Sequence, residues 1–143
     1  MTRISSGVRS HSMVDLHVRK ERIELLRIPN AVKKGKAVLK DIPNEFKLQK
    51  NHVRFYYSRL KYLHKRYLEL TEECIKRGFK VTDYSDAFKD LPEHLYNDWD
   101  DNIPRVKEIV SERIKERLSG MREVDLKYYG KPITVEEAIK KLG

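Results

Sequence analysis

The chain has 143 residues, a net charge of +9 and one cysteine, Cys74. This is the size of one ordinary domain, residues 1–143, and a lone cysteine excludes an intramolecular disulfide or a cysteine metal site. No apolar run reaches the ~18 to 20 residues of a membrane span and the N-terminus has no apolar leader core, so a soluble, intracellular (cytoplasmic) protein with no membrane partner is expected.

Residues 1–80 hold 20 Lys and Arg against 8 Asp and Glu, net +12, whereas residues 81–101 hold one Lys against seven acids, net −6. A basic body with a segregated acidic segment suits a polyanion such as nucleic acid; the alternative is a solvated basic surface with no partner. Apolar residues recur with helical period and nothing alternates for long enough to make a sheet. The expected class is therefore all-α, with three main helices, short helical turns and irregular loops.

Ser12 in "SMVD" is expected to cap the first helix with Asp15 as capping-box partner, and the helix should run to about Arg27 before "IPN" stops it. Residues 29–50 read as a basic connector containing "KKGK", with room for a short helical turn. Asn51 is expected to cap a long helix whose Val53, Tyr56, Leu60, Leu63, Tyr67, Leu70, Cys74 and Ile75 share one face, with Gly78 as its stop. Cys74 on that face is expected to be packed rather than reactive. Residues 79–99 read as an acidic, aromatic loop with one or two turns. Pro104 opens a third helix that Gly120 ends, "MREVDLKYYGKPI" is irregular with a Tyr-Tyr-Gly turn, and Thr134 with Glu137 makes a capping box for a short terminal helix.

Projected at about 100° per residue, His17, Lys20, Glu24 and Arg27 fall in one stripe of the first helix roughly 80° wide. It lies between two apolar patches, Val14, Val18 and Leu25 on one side and Leu16, Ile23 and Leu26 on the other, while Asp15 and Arg22 occupy the opposite arc. A helix gripped on both sides would present that narrow strip to something that needs it; the alternative is a solvated row of ion pairs around Glu24. In the third helix Val106, Ile109 and Val110 define the buried face, and Arg113 and Arg117 project onto it one and two turns later. Guanidinium groups aimed at a core are unfavourable unless an anion such as phosphate waits there, or unless the helix end simply projects past the core. The five histidines, at positions 11, 17, 52, 64 and 94, share no ligand spacing with a carboxylate, so no metal or other cofactor is expected.

These stretches, in this order, resemble the phage-type pyrimidine-dimer DNA glycosylases with abasic-site lyase activity, the ultraviolet-repair enzymes historically called endonuclease V. The similar segments are "MTRI", "DLHVRKERIELLR", "NAVKKGK", "HVRFYYSRLKYLHKRYLELTEECIKRGFKVTD" and "KYYGK", and the resemblance covers roughly the first 131 residues. It implies that Met1 is removed and that the α-amine of Thr2 attacks C1′ of the damaged nucleotide, with Glu24 as the attending carboxylate. It implies further that Arg3, His17 and Arg27 line a DNA-facing site, that Arg113 and Arg117 are the paired basic residues of the late helix, and that the base opposite the lesion is flipped. Arg22 stands beside Ile23, which replaces a family Arg; Asp125 and Leu126 replace an aromatic pair; residues 132–143 extend past the family's usual end. Lys127, Tyr128, Tyr129 and Lys131 of "KYYGK" become DNA-binding candidates, although Tyr128 and Tyr129 suit aromatic core equally well.

The chemistry explains why a terminus would carry the nucleophile. An α-amine has a pKa of ~7.7 to 8.0 against ~10.4 for Lys, so roughly a tenth of it is unprotonated at neutral pH, and a neighbouring Arg3 favours that form. An imine with the sugar acidifies the C2′ proton, which Glu24 can accept. The expected partner is damaged duplex DNA, bound by a monomer that needs no protein partner. Two other readings stay open: a basic DNA-binding module without catalysis, in which Thr2 and Glu24 are incidental, and the same chemistry on another base lesion. An N-terminal-threonine amidohydrolase fits poorly, because those folds are larger and rich in sheet.

Overall fold

The computed structural model describes residues 2–47 and 52–143. Among them the helical period is realised as five α-helices: α1 (Asp15–Glu24), α2 (Arg27–Lys33), α3 (Leu60–Lys76), α4 (Pro104–Ser119) and α5 (Val135–Lys141), joined through short 3-10 turns. One hairpin, β1 (Lys127–Tyr128) antiparallel to β2 (Lys131–Pro132), is the whole of the sheet among the described residues, so the protein is predominantly α-helical.

The apolar face of α3 organises the core. Leu60, Leu63, Tyr67, Leu70 and Cys74 are buried at three-to-four spacing and share the core with Val14, Val18 and Leu25 of the α1 segment, which α3 contacts directly. Gly78, at φ +84°, ends α3 as its spacing predicts: its amide donates to the Ile75 carbonyl at 3.0 Å and that of Phe79 to Cys74 at 2.9 Å. Ile75 falls on the exposed side of the helix instead of the core face. Beside α3, Trp99 stacks on Phe46 and meets Phe55 and Tyr62 edge-on.

Several local expectations give way to longer-range partners. Ser12 ends a 3-10 turn and caps nothing, and α1 starts at Asp15 without a side-chain cap. The Asp15 carboxylate is taken up elsewhere: it accepts from the Tyr129 and Gly130 amides and from Arg77, each at 2.9 Å. Three donors, one of them charged, outweigh one local capping bond. Nor does "IPN" stop the helix. The chain bends at Leu25 and Leu26 and resumes as α2, with Pro29 in the first turn, where a missing N–H leaves no bond unmade. The connector therefore begins after Lys33. The long helix starts only at Leu60, because residues His52–Ser58 form a 3-10 helix and Arg59 breaks the run at φ −132°, ψ 45°. Its guanidinium donates to the Phe55 carbonyl, one turn before the break, at 2.8 Å and to the Pro43 carbonyl of the connector at 3.2 Å. Asn51 lies outside the described residues.

Helix α4 runs from Pro104 to Ser119 as expected, but its buried face is Val106, Val110, Ile114 and Leu118. The capping box of Thr134 and Glu137 is formed, at 3.1 and 3.2 Å. Residues 132–143 are no loose appendage: α5 packs on α4, and Ala138 and Leu142 are buried in the common core. The segment expected to be irregular holds the hairpin, whose Tyr129-Gly130 turn has φ of 52° and 77° at its two centres, the mirror-image turn that matches strand twist.

Candidate active site

The N-terminal segment is anchored almost residue by residue. Ile4 and Val8 are buried, and the Ser5 amide donates to Glu21 Oε1 at 3.2 Å. Glu21 Oε2 is held by Arg66 Nε at 2.7 Å, and Arg66 also donates to the Val8 carbonyl at 2.7 Å. Burial opposes charge on Arg66, yet the Glu21 carboxylate beside it more than offsets this and holds its pKa above the ordinary arginine value. The Gly7 amide donates to Asp101 Oδ2 at 2.9 Å, and the same oxygen receives Arg9 and the Tyr62 hydroxyl at 2.7 Å. Gly7 has φ +79°, and a Cβ there would stand 3.2 Å from the Asp101 carbonyl oxygen and 3.3 Å from the Lys107 backbone. Glycine is what lets the segment pass so close to the start of α4.

Between the anchored segment, α1 and the end of α4 lies a cavity of about 250 Å³. Arg3 and Ser5 come from the N-terminal segment, Leu16, His17, Lys20, Glu21 and Glu24 from α1, and Glu116 and Arg117 from α4, with Met13, Gly120 and Met121 completing the wall. Thr2 directly precedes Arg3, so its Cα lies about 3.8 Å from that of a wall residue. The stripe of His17, Lys20 and Glu24 thus faces one enclosed space, and Arg27, exposed beyond the end of α1, does not line it. The second apolar patch is split: Leu26 is buried in the core and Leu16 lines the cavity, whereas Ile23 is 48% exposed.

Three cations, Arg3, Lys20 and Arg117, and three carboxylates, Glu21, Glu24 and Glu116, line the cavity. His17 is pushed down to about 4, first by burial and then by Arg117, Arg3 and Lys20 around it, so its imidazole is neutral at neutral pH. Its Nδ1 is buried and has no hydrogen-bond partner among the described residues. Arg117 is lowered by burial and by the neighbouring Arg3, while Glu21 and Glu24 act in the opposite sense. Two guanidinium groups that repel each other across a partly buried space, beside carboxylates that attract them, can take a further anion only where it reaches both.

Other candidates lie elsewhere. Arg22 is only 4% exposed and faces away from the cavity, donating to Thr71 Oγ1 at 2.8 Å, to the Tyr67 hydroxyl at 3.0 Å and to the Thr82 carbonyl at 2.5 Å. Its guanidinium is engaged inside the fold and is not available to DNA, a correction with a simple cause: the arc opposite the stripe packs on α3 and the loop after it. Arg113 is exposed one turn before Arg117, off the buried face of α4, because that face repeats every four residues from Val106. Lys127 and Lys131 are exposed on the hairpin. Tyr128 and Tyr129 pack over the Arg77 guanidinium, and their hydroxyls donate to the His11 carbonyl and to Glu73 at 2.6 Å. Sequence reasoning missed Ser5, Glu21 and Glu116 as wall residues and Arg66 and Asp101 as anchors. The partner of Glu21 is 45 positions away, and no local pattern reveals it.

A family model described as pyrimidine dimer DNA glycosylase matches residues 1–86. The chain belongs to that family. The match takes in the N-terminal segment, α1, α2 and α3 and ends in the loop that follows. The N-terminal and α1 sides of the cavity therefore lie within the matched region, and the remaining side, Glu116 to Met121, lies beyond it. Among the described residues no cluster of three or more His, Cys, Asp or Glu is arranged to hold a metal ion, and no helix is long and apolar enough to cross a membrane.

Proposed function

We propose that this pyrimidine-dimer DNA glycosylase is also an abasic-site lyase, and that its nucleophile is the Thr2 α-amine freed by removal of Met1. The observation that carries this reading is the company of Glu24: it shares one cavity with His17, Arg117 and Arg3, the residue that follows Thr2. Of the three carboxylates that line the cavity, Glu21 is engaged by Arg66 and the Ser5 amide and Glu116 is exposed, which leaves Glu24 as the one suited to proton transfer.

The unprotonated amine attacks C1′, and the glycosidic bond breaks with its electron pair leaving on the base. Opening of the sugar ring gives an imine. The Glu24 carboxylate then takes the acidified C2′ proton, a C2′–C3′ double bond forms, and the C3′–O bond breaks with its pair on the departing phosphate. Water hydrolyses the imine and returns the amine. Arg3 and Arg117 hold a backbone phosphate, neutral His17 offers a hydrogen bond without adding charge, and exposed Arg27, Arg113, Lys127 and Lys131 add sequence-independent contacts. Reaching C1′ requires extruding a nucleotide, which costs a few kcal/mol and least where a dimer has already weakened pairing. Residues 1–143 act as one domain and as a monomer.

Duplexes carrying a cyclobutane dimer, an abasic site or an oxidised purine, incubated in chelator, test this. The protein is expected to cleave the first two, and Glu24→Gln to bind but not cleave them. Wild-type cleavage rates in Glu24→Gln would remove Glu24 from the mechanism, and binding without cleavage by the unaltered protein would favour a DNA-binding module. Preference for the oxidised purine would shift the lesion.

A further inference from the structure

The connector after α2 packs on the core through Ala37, Ile42 and Phe46 and contributes nothing to the cavity lining. Its sequence from Lys34 to Lys40, "KGKAVLK", sets the pair Val38 and Leu39 among three lysines, and the two are 60% and 42% exposed. Single exposed aliphatic residues are ordinary. An adjacent pair flanked by exposed Lys34, Lys36 and Lys40 combines an apolar wedge with phosphate-binding charge, the chemistry by which proteins enter a DNA groove and hold the duplex bent.

The loop is tied at both ends. The Gly35 and Lys36 amides donate to Val32 and Ala31 at 3.1 and 3.0 Å, closing α2, and Arg54 reaches back to the carbonyls of Lys40 and Asp41. Ala37 packs against the core. Binding through such a loop loses little ordering entropy. It is also close enough to matter. From Glu24 to Lys34 a helical path spans at most about 15 Å, and four extended residues add at most about 14 Å, less than the ~34 Å of one duplex turn.

We propose that this loop is a second DNA contact, in which Val38 and Leu39 insert into the minor groove beside the lesion while Lys36 and Lys40 hold the flanking phosphates. The proposal rests on the duplex-cleaving function above. Charge decides the occupant: the lysines complement a polyanion, and two aliphatic side chains are far too little surface for a protein interface, which needs about 800 Å² on each side.

Two double variants test it against dimer-containing duplex over a range of salt, with bending read by energy transfer between end labels and cleavage of a single-stranded abasic oligonucleotide as a measure of intact chemistry. V38S/L39S is expected to lose about tenfold in duplex affinity and most of the bend, while keeping its salt dependence and its single-strand cleavage. K36A/K40A is expected to lower the slope of log K against log salt by about 2. Unchanged affinity and bend in V38S/L39S, or an equal loss on the single strand, overturns the wedge while the enzyme's function stands. Failure of the unaltered protein to cleave dimer duplex overturns both.

Discussion

Glu21 and Arg66 meet at 2.7 Å in the interior, and the other oxygen of the Glu21 carboxylate holds the amide of Ser5 at 3.2 Å. An N-terminal segment that would otherwise fray is thereby fixed against α1 and α3. Arg66→Met leaves the buried carboxylate uncompensated and is expected to lower stability by about 3 to 5 kcal/mol, as measured by urea unfolding. The double variant E21L/R66M, which removes both charges, is expected to recover most of that loss. A double variant as unstable as the single one would show that the pair is not what matters there.

Gly7 makes the second tether possible. Alanine there must adopt φ +79° and press a methyl group to 3.2 Å from the Asp101 carbonyl oxygen. Gly7→Ala is expected to destabilise the protein by about 1 to 3 kcal/mol and to lower cleavage further than stability alone explains, since it moves the segment that carries Arg3. Cleavage measured well below the unfolding midpoint separates the two effects.

His17 imposes a pH dependence of definite sign. Its pKa in the folded protein, about 4, lies below its free value of 6.5, so on acidification the unfolded chain takes up the proton first. The contribution of neutral His17 to stability is complete above about pH 6.5, is lost progressively as pH falls toward 4, and amounts to at most about 3 kcal/mol. Relative to wild type, His17→Asn is expected to show a flatter stability profile between those limits. An imidazole that titrates near 6.5 by NMR would contradict this.

Arg22 and Arg117 separate structure from function. Arg22→Met should reduce stability, because the Thr82 carbonyl and the Tyr67 hydroxyl lose their donor, without changing the salt dependence of DNA binding. Arg117→Met should do the reverse, lowering the slope of log K against log salt by about 1 with little effect on unfolding. Urea titrations and binding isotherms at several salt concentrations distinguish them.

Much of this was legible in the sequence. The three-to-four repeat of α3, its Gly78 stop, the Pro104 start of α4 and the terminal capping box are local patterns whose physics acts over a few residues. The stripe of His17, Lys20 and Glu24 was legible because helix geometry alone puts those side chains on one side. What escaped was long-range. Asp15 abandons a local cap for Arg77 and a turn 114 residues away, Arg22 turns inward onto Tyr67, and Ile23 stays exposed while Leu26 of the same patch is buried. The hairpin was hidden because two-residue strands are too short to alternate. Helical projection from Val106, Ile109 and Val110 puts Arg113 and Arg117 on one face, whereas the buried face repeats as Val106, Val110, Ile114 and Leu118, and of the two arginines only Arg117 lines the cavity.

Borohydride reduction during turnover of abasic duplex, followed by peptide mass mapping, tests the proposed nucleophile most directly. A covalent adduct on the amine of Thr2, in protein lacking Met1, is the predicted result. An adduct on Lys20 across the cavity, or undiminished cleavage by protein whose terminal amine has been acetylated, would contradict it.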